Sequence, residues 1–371
     1  MNKNTISLQQ VSGGRLHHLD ALRGIAALSV AVGHVLGAFP NYESWTPMLG
    51  RPAVTLFFLL SGYVLGKSLS GSGGNPLVDF LSYCVRRFFR LYPAIFAALV
   101  VAAILAKFYV IPDPSVDLSL WFRKSITKAT TIHSLHDYLG SFRLYYLRLD
   151  PPLWTIQIEF VCSLLLPLLV WPVKKHPVRR WILLGALGYL KLAHPAWLGM
   201  AVYLFEFYLG YLAWTLTPKI AEISPKASKY LILLAVLGAL VWIWFRDRSG
   251  SGLVSIVCIA LLLTLLGPCR WERLKSGLNT APLQFLGRIS YSLYLIHLPI
   301  LMICWSVIIG KWKVAHGDAL QALILLLAML PVSFLMSYGV ERLVERPFND
   351  WGHMISRGLK GLLGGRSVNS L

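Results

Sequence analysis

The sequence predicts an all-α protein, a polytopic transmembrane helical bundle of about ten membrane helices with both termini in the cytoplasm. Hydrophobic residues make up 56% of the 371 positions and charged residues only 14%, which is more apolar surface than a water-soluble domain buries. The apolar residues recur in stretches of roughly 20, the length that crosses a bilayer core. The Lys and Arg residues lie mainly in the short loops between these stretches.

Ten apolar segments define the predicted helices. They are 19–39, 52–69, 91–110, 152–171, 181–193, 196–216, 229–245, 252–266, 285–309 and 319–340. The fifth is short and closely followed by Pro195, so it is either a tilted helix or half of a hairpin. We therefore expect a cytoplasmic segment 1–18, a membrane domain 19–348 and a basic cytoplasmic tail 349–371.

The distribution of loop charge predicts the orientation in the membrane. Loops on the side of the termini carry 21 Lys and Arg residues against 12 on the other side, and six of those 12 lie in or next to one long loop at about 111–151. Long loops are translocated largely regardless of charge. The termini are therefore predicted to be cytoplasmic. The net charge of +19 follows from basic residues retained beside anionic lipid rather than from a nucleic-acid surface.

The long outer loop carries aromatic residues among its charges, including Trp121, Phe122 and Tyr138. This mixture is typical of amphipathic helices that lie in a membrane interface. We expect such helices to cover the outer mouth of the bundle.

The five cysteines are scattered, with no Cys-x-x-Cys pair and no histidine at metal-ligand spacing. Cysteines inside apolar segments behave as small hydrophobic residues. We therefore expect neither a disulfide framework nor a bound metal.

Ionisable residues inside the apolar segments are the candidates for function, because each costs about 2.5–3.5 kcal/mol on insertion scales. The first segment reads LDALRGIAALSVAVGH. Arg23 and His34 are eleven residues apart, which returns to the same helical face about 16 Å further along the axis. Singly, Arg23 is explained as a membrane anchor paired with Asp20, and His34 as a polar packing residue. Their shared face favours a functional interpretation.

The fourth segment begins PPLWTIQIEF and places Trp154 and Glu159 near its outer end, at a depth similar to that of His34. A carboxylate that orients a histidine is a common arrangement for general-base catalysis. Alternatively, Glu159 binds a neighbouring Tyr or Trp. Glu206 is a second intramembrane carboxylate, and the sequence indicates no partner for it.

Two further polar groups stand out. Arg86, Arg87 and Arg90 precede the third segment and are either an ordinary positive-inside cluster or a phosphate-binding group, since guanidinium binds phosphate bidentately. Ser290, Tyr294 and His297 share one face of the ninth segment by the i, i+4, i+7 rule. Such a face lines a cavity or forms hydrogen bonds between helices.

Six motifs, taken in order, resemble the acyltransferase-3 family of integral-membrane acyltransferases. They are LDALRGIAALSVAVGH, VTLFFLLSGYVL, RRFFRLYP, LWTIQIEF, LGRISYSLYLIHLP and VERPF. The resemblance spans 19–348 and implies ten membrane helices and the transfer of acyl groups, most often acetyl, to cell-surface sugars or other acceptors. Some members carry a fused esterase-like domain. This sequence ends too soon for one, so we expect the chain to complete the transfer or to pass the acyl group to a separate protein.

The resemblance also assigns site residues. The family's Arg-x10-His pattern falls on Arg23 and His34, with His34 in the catalytic role. The remaining motif positions provide the other candidates. These are Arg86, Arg87 and Arg90 for the donor, Trp154 with Glu159, Glu345 with Pro347, and the motif residues Asp20, Ser61, Arg288, Ser290, Tyr294 and His297.

The sequence therefore predicts an O-acyltransferase of the bacterial cytoplasmic (inner) membrane. Acyl-CoA, and for this family acetyl-CoA, is the expected donor, bound from the cytoplasm. A hydroxyl of an extracytoplasmic polysaccharide or glycolipid is the expected acceptor, with His34 as general base or transient acyl carrier. The alternative is a transporter or flippase for a lipid-linked sugar or acyl carrier. The lack of an internal repeat in the sequence argues against it.

Overall fold

The computed structural model describes residues 17–70, 75–132, 134–142, 147–193, 196–221, 276–311 and 317–363, with four isolated positions between 222 and 275. This part of the chain is helical and contains no β-strand. Apart from those four positions, the predicted segments 229–245 and 252–266 lie outside the described residues.

The described α-helices fall in the order that the apolar segments predict. They are α1 (His17–Leu36), α2 (Trp45–Ser70), α3 (Pro76–Ala106), α4 (Leu120–Thr130), α5 (Leu135–Phe142), α6 (Trp154–Val170), α7 (Pro177–Ala193), α8 (Leu204–Ala221), α9 (Ala281–Trp305), α10 (Asp318–Val340) and α11 (Arg346–Leu363). A 3-10 turn, Pro151–Leu153, leads into α6, and a π-helical turn, Glu341–Glu345, joins α10 to α11.

Six helical stretches among the described residues are long and apolar enough to cross a membrane. They are His17–Leu36, Trp45–Leu69, Pro76–Ala106, Pro151–Val170, Ala281–Gly310 and Asp318–Leu363. Each overlaps a predicted segment. The fifth and sixth segments form the helices α7 and α8, but neither of these two is both long enough and apolar enough to be counted among the six. The structure therefore confirms an all-helical membrane protein, while the count of ten and the side of the termini stay predictions.

The third membrane helix begins earlier than predicted. It starts at Pro76, behind Asn75, whose side chain accepts a hydrogen bond from the backbone N–H of Leu77. An Asn cap followed by Pro at the first position is a strong helix start. Hydropathy does not assign residues 76–90 to a membrane helix, because charged residues interrupt this part of the sequence. As a result, the arginine cluster lies inside α3 instead of preceding it.

Part of the predicted tail from residue 349 is helical, because α10 continues through the π-turn into α11 and reaches Leu363. The boundary of the tail and its cytoplasmic location stay predictions. A helix of 46 residues is about 69 Å long, twice the hydrocarbon thickness of about 30 Å. Instead of crossing further, α11 packs along the polar half of α3. A Cβ on Gly352 would lie 2.6 Å from Cβ of Phe89, and Lys360 pairs with Asp79.

The described chain divides into two compact units. The first comprises Met1–Ala26, Arg51–Ser72 and Ile158–Gly287, and the second comprises Ala27–Gly50, Gly73–Gln157 and Arg288–Leu371.

Close helix contact through glycine characterises the first unit. A Cβ on Gly62 of α2 would lie 2.0 Å from the carbonyl oxygen of Phe207, and one on Gly210 of α8 would lie 2.1 Å from that of Leu59. Small residues allow backbones to approach closely in membrane helix pairs, where packing replaces the hydrophobic effect. The two helices therefore pack backbone to backbone.

An apolar core that joins α1, α4, α9 and α10 characterises the second unit. Phe122 of α4 is fully buried and meets Trp305 of α9 edge to face, with centroids 5.9 Å apart. Ser119 caps α4 and donates to the carbonyl oxygen of Gly37 at 2.7 Å. The predicted helices of the long loop are thus present, and α4 is fixed to the end of α1.

Candidate active site

Two histidines of the second unit, on α1 and α9, form the centre of the candidate site. Nδ1 of His34 lies 2.8 Å from Nε2 of His297. The ring planes differ by only 10° and the centroids are 5.0 Å apart. The rings therefore lie nearly coplanar and edge to edge, as a hydrogen bond in the ring plane requires. His34 is partly exposed, whereas His297 is fully buried.

The contacts of His297 determine which nitrogens carry protons in the neutral pair. Its Nδ1 lies 2.8 Å from the carbonyl oxygen of Tyr294, and a carbonyl only accepts, so Nδ1 must be protonated. Nε2 of a neutral His297 then accepts a hydrogen bond from Nδ1–H of His34. This leaves the lone pair on Nε2 of His34, the more exposed ring of the two, available for chemistry.

Hydrogen bonds at the beginning of the fourth span support His297. The hydroxyl of Tyr294 accepts a hydrogen bond from Thr155 at 2.8 Å and donates to the carbonyl oxygen of Pro152 at 3.2 Å. Tyr294, Thr155 and Pro152 are all buried. The polar face predicted for the ninth segment therefore includes hydrogen bonds between helices.

Trp121 of α4 is the second aromatic neighbour of His34. The centroids of the two rings are 4.9 Å apart and the planes differ by 25°, within the range of stacked aromatic pairs. The guanidinium of Arg123 donates to three carbonyl oxygens just before α4, those of Pro112, Asp113 and Val116. Because α4 is held in place, Trp121 has a fixed position against the His34 ring.

The arginine cluster on α3 is engaged with the C-terminal helices. Arg90 forms an ion pair with Glu345, which is 4% exposed and also accepts a hydrogen bond from Ser292 at 2.9 Å. Arg86 donates to the hydroxyl of Ser356 at 2.6 Å. The structure therefore brings together two motifs that are 255 residues apart in sequence.

Arg87 has a different environment from its neighbours in the cluster. It donates to the hydroxyl of Tyr83, one turn earlier on α3, at 3.3 Å. All three arginines remain partly exposed.

Glu159 lies in the first unit and is buried. It accepts a hydrogen bond from Ser61 of α2 at 3.0 Å, which joins two of the predicted site residues. The expectation that Glu159 orients His34 stays a prediction. The orienting partner that the described contacts provide is His297.

Arg23 and Asp20 also lie in the first unit, on the first turns of α1. A Cβ on Gly24 would lie 2.6 Å from the backbone nitrogen of Gly287, so α1 and α9 touch through glycine at this level. This contact fixes the part of α1 that carries Arg23.

Glu206 has a partner that the sequence did not indicate. Its carboxylate lies 2.7 Å from Nζ of Lys191 on α7, and the same ammonium lies 4.1 Å from the centroid of the Tyr203 ring. A buried ion pair with a cation–π contact compensates much of the cost of two charges in an apolar setting. The hairpin of α7 and α8, which turns at Gly199 with φ +50°, brings the two charges together.

The other predicted residues have varied positions. Trp154 is exposed at the start of α6, Ser290 is buried on α9, and Arg288 is exposed about two and a half turns before His297 on the same helix. The residues that the sequence did not single out as site members are Trp121, Thr155, Lys191 and Ser292. Trp121 stands in an amphipathic stretch of the outer loop, which was the available signal. Lys191 is an ionisable residue inside the predicted segment 181–193, which was its signal. Thr155 and Ser292 carry no signal in sequence, because hydroxyl side chains are common in helices.

Comparisons with known proteins identify the family. A family model described as an acyltransferase domain matches residues 16–338. The chain is 26% identical to an acyltransferase, MdmB, of Streptomyces mycarofaciens, with 90% of this chain and 91% of the relative aligned. It is 25% identical to a putative membrane-bound transacylase, BcsY, of Komagataeibacter xylinus, with 88% and 82% aligned.

A third relative is longer than this chain. The peptidoglycan O-acetyltransferase OatA of Listeria monocytogenes is 24% identical over 78% of this chain and 50% of its own length. No solved structure is significantly similar to the chain. The family model covers most of the sequence, and the described helices are those of an integral membrane protein. The chain belongs to the acyltransferase-3 family and is a membrane enzyme that transfers acyl groups.

Proposed function

We propose that the protein transfers an acetyl group from cytoplasmic acetyl-CoA to a hydroxyl of an extracytoplasmic polysaccharide or glycolipid. The observation that carries the proposal is the coplanar pair of His34 and His297, which leaves one basic imidazole nitrogen on the partly exposed ring. The Listeria relative, a peptidoglycan O-acetyltransferase by name, supports acetyl as the group and a surface polymer as the acceptor. The proposed location is the bacterial inner membrane.

His34 has two routes to the same product. As a general base, Nε2 accepts the proton of the acceptor hydroxyl while the hydroxyl oxygen attacks the thioester carbonyl. The C–S bond then breaks, and the CoA thiolate leaves and takes up the proton. As an acyl carrier, Nε2 itself attacks the thioester carbonyl, the C–S bond breaks and the CoA thiolate leaves. The acceptor hydroxyl then attacks the acyl-imidazole, the C–N bond breaks, and the hydroxyl proton passes to the CoA thiolate. In both routes the imidazole becomes cationic, and His297 continues to accept the Nδ1–H hydrogen bond.

The donor side is proposed to lie at the arginine cluster of α3. Arg86, Arg87 and Arg90 are partly exposed, and guanidinium groups suit the phosphates of CoA. Arg23, near the start of α1, is proposed to neutralise donor charge or to position the thioester. Glu159 is proposed as a supporting carboxylate. Membership of the acyltransferase family does not favour the transporter alternative, because a transporter has no need to cleave a thioester.

Release of CoA from labelled acetyl-CoA by the purified protein tests the class of reaction. His34→Gln should lower the rate roughly 100- to 10,000-fold, because an amide hydrogen-bonds but neither accepts a proton at neutral pH nor carries an acyl group. His176→Gln, at an exposed position between α6 and α7, is the matched control and should keep the full rate. Near-wild-type release by His34→Gln would make His34 a structural residue.

The same assay separates the two routes. Label that stays on the quenched wild-type protein and is missing from His34→Gln assigns His34 as the acyl carrier. CoA release without protein-bound label assigns it as the general base.

A further inference from the structure

A buried carboxylate immediately before the fourth span has no role in the chemistry above. Asp150 is only 2% exposed. Within the part of the chain that the structure describes, neither of its carboxylate oxygens has a hydrogen-bond partner. The residue precedes the 3-10 turn Pro151–Leu153 in the second unit.

The ordinary role of an Asp at this position is to cap the helix that follows. That role is blocked by the sequence, because an N-cap side chain binds the N–H of the second or third helical residue. The second is Pro152, which has no N–H. The third is Leu153, whose N–H donates to the backbone oxygen of Asp150 at 3.2 Å. The Asp150 side chain makes no capping hydrogen bond.

A carboxylate without partners is expensive to bury, since its charged form loses water and gains nothing. Burial accordingly raises the pKa of Asp150 well above its usual value. Tyr109 is a titratable neighbour whose own pKa is raised by burial and then by Asp150. Its hydroxyl is occupied, because it donates to the carbonyl oxygen of Pro299. A residue that costs stability and has no structural partner is a candidate for ligand binding.

The position of Asp150 connects it to the histidine pair. Two residues later, the carbonyl oxygen of Pro152 accepts the hydroxyl of Tyr294, whose own carbonyl oxygen fixes Nδ1 of His297. Pro299, the partner of Tyr109, lies two residues after His297 on α9. Asp150 and the candidate catalytic ring therefore belong to one connected set of contacts within the second unit.

We propose that Asp150 binds the acceptor, with its two carboxylate oxygens accepting hydrogen bonds from neighbouring hydroxyls of a sugar. Hydrogen-bond donors of a bound ligand favour the ionised form of a buried carboxyl. An ionised carboxylate only accepts, and two adjacent hydroxyls match its two oxygens. The predicted topology places residue 150 on the outer side, where the acceptor arrives. This inference rests on the proposed function and adds to it the chemistry of acceptor recognition.

Asp150→Asn tests the proposal in two independent ways. With labelled acetyl-CoA as donor and extracted membranes of the producing cell as acceptor source, its KM for the acceptor should rise roughly 10- to 150-fold, the value of hydrogen bonds to a charged group. Its KM for acetyl-CoA should not change. Its melting temperature in detergent should equal or exceed that of the wild type, because the substitution removes a buried carboxyl group that has no hydrogen-bond partner among the described residues. Asp117→Asn, at an exposed position of the same loop, should change none of these values.

Each other outcome overturns the inference. An unchanged KM for the acceptor removes Asp150 from acceptor binding. A lower melting temperature for both Asp150→Asn and Asp150→Leu shows that the carboxylate has a structural partner. A wild-type protein that releases no CoA contradicts the proposed function itself, and the melting temperatures still report whether Asp150 is uncompensated.

Discussion

In the proposed mechanism His34 reacts through the ring nitrogen that His297 leaves open, so the proposed chemistry depends on a residue that need not touch a substrate. His297 is fully buried and fixed by the carbonyl oxygen of Tyr294. It therefore acts as a positioning residue that selects one tautomer of the neutral His34 ring.

Substitutions at His297 should separate positioning from packing. His297→Ala should lower kcat roughly 10- to 100-fold with little change in the KM for either substrate, as loss of an orienting partner commonly does. His297→Gln should recover part of the loss, because its amide oxygen accepts from His34 and its amide nitrogen donates to Tyr294. Steady-state kinetics of the purified variants measure both effects. Equal activity in His297→Gln and His297→Ala would indicate that the ring only fills space.

At this scale the sequence predicts individual residues but not their pairing. His34 and His297 are both recognisable because a titratable ring is costly in an apolar helix. The contact between them cannot be recognised in the sequence, because they are 263 residues apart. Helical periodicity predicts a shared face and a relative depth only within one helix. The same limit explains the missed pairing of Lys191 with Glu206.

The helix that departs most from the sequence prediction is α3, which begins at Pro76. Its first half carries the arginine cluster and determines which residues the arginines contact. Hydropathy finds helices by their lipid-facing surface, so it places the apolar parts of α1, α6, α9 and α10 well. It misses a polar helix whose cover is another helix. Since α11 supplies that cover, Arg86 and Arg90 each contact a residue of the C-terminal region.

Two substitutions one turn apart on α3 should therefore behave differently. Arg90→Gln leaves Glu345 buried with only Ser292 as a described partner and should cost about 1–3 kcal/mol of stability. This value is below that for a fully buried pair, because the Arg90 side chain is 31% exposed. Arg87→Gln should keep the stability and raise the KM for acetyl-CoA roughly tenfold.

Thermal unfolding in detergent and donor titration measure the two effects. Arg357→Gln, at an exposed position of α11, is the control for loss of one surface charge. An unchanged KM for acetyl-CoA in Arg87→Gln would show that Arg87 does not bind the donor and only contributes to the positive charge of the cytoplasmic side. An unchanged melting temperature in Arg90→Gln would contradict a structural role for its ion pair.

For the whole molecule, the decisive property is the side of the membrane on which each end of the bundle lies. Composition is sufficient to predict a helical membrane protein, because no other environment accepts this much apolar surface. Orientation depends on a charge difference between loops, which is a statistical property of insertion and leaves no trace in the contacts of the folded chain.

Reporter fusions test the orientation directly. A fusion at Lys174, between α6 and α7, should report a cytoplasmic location, and one at Tyr138, on α5, an external location. The physical reason is the excess of Lys and Arg in the loops on the side of the termini. A cytoplasmic signal at Tyr138 would invert the molecule and exchange the donor and acceptor sides.

The two prolines before α6 prevent Asp150 from capping the helix, so substitution of Pro152 is expected to change the role of this carboxylate. Nearly any replacement of Pro152 restores a backbone N–H at the position where an N-cap side chain accepts, directly beside the unpartnered Asp150. The carboxylate would then become an ordinary cap, and the protein would become more stable while losing its proposed acceptor contact. A substitution of Pro152 is therefore expected to raise the stability and to weaken acceptor binding at the same time, so the two properties oppose each other at this position.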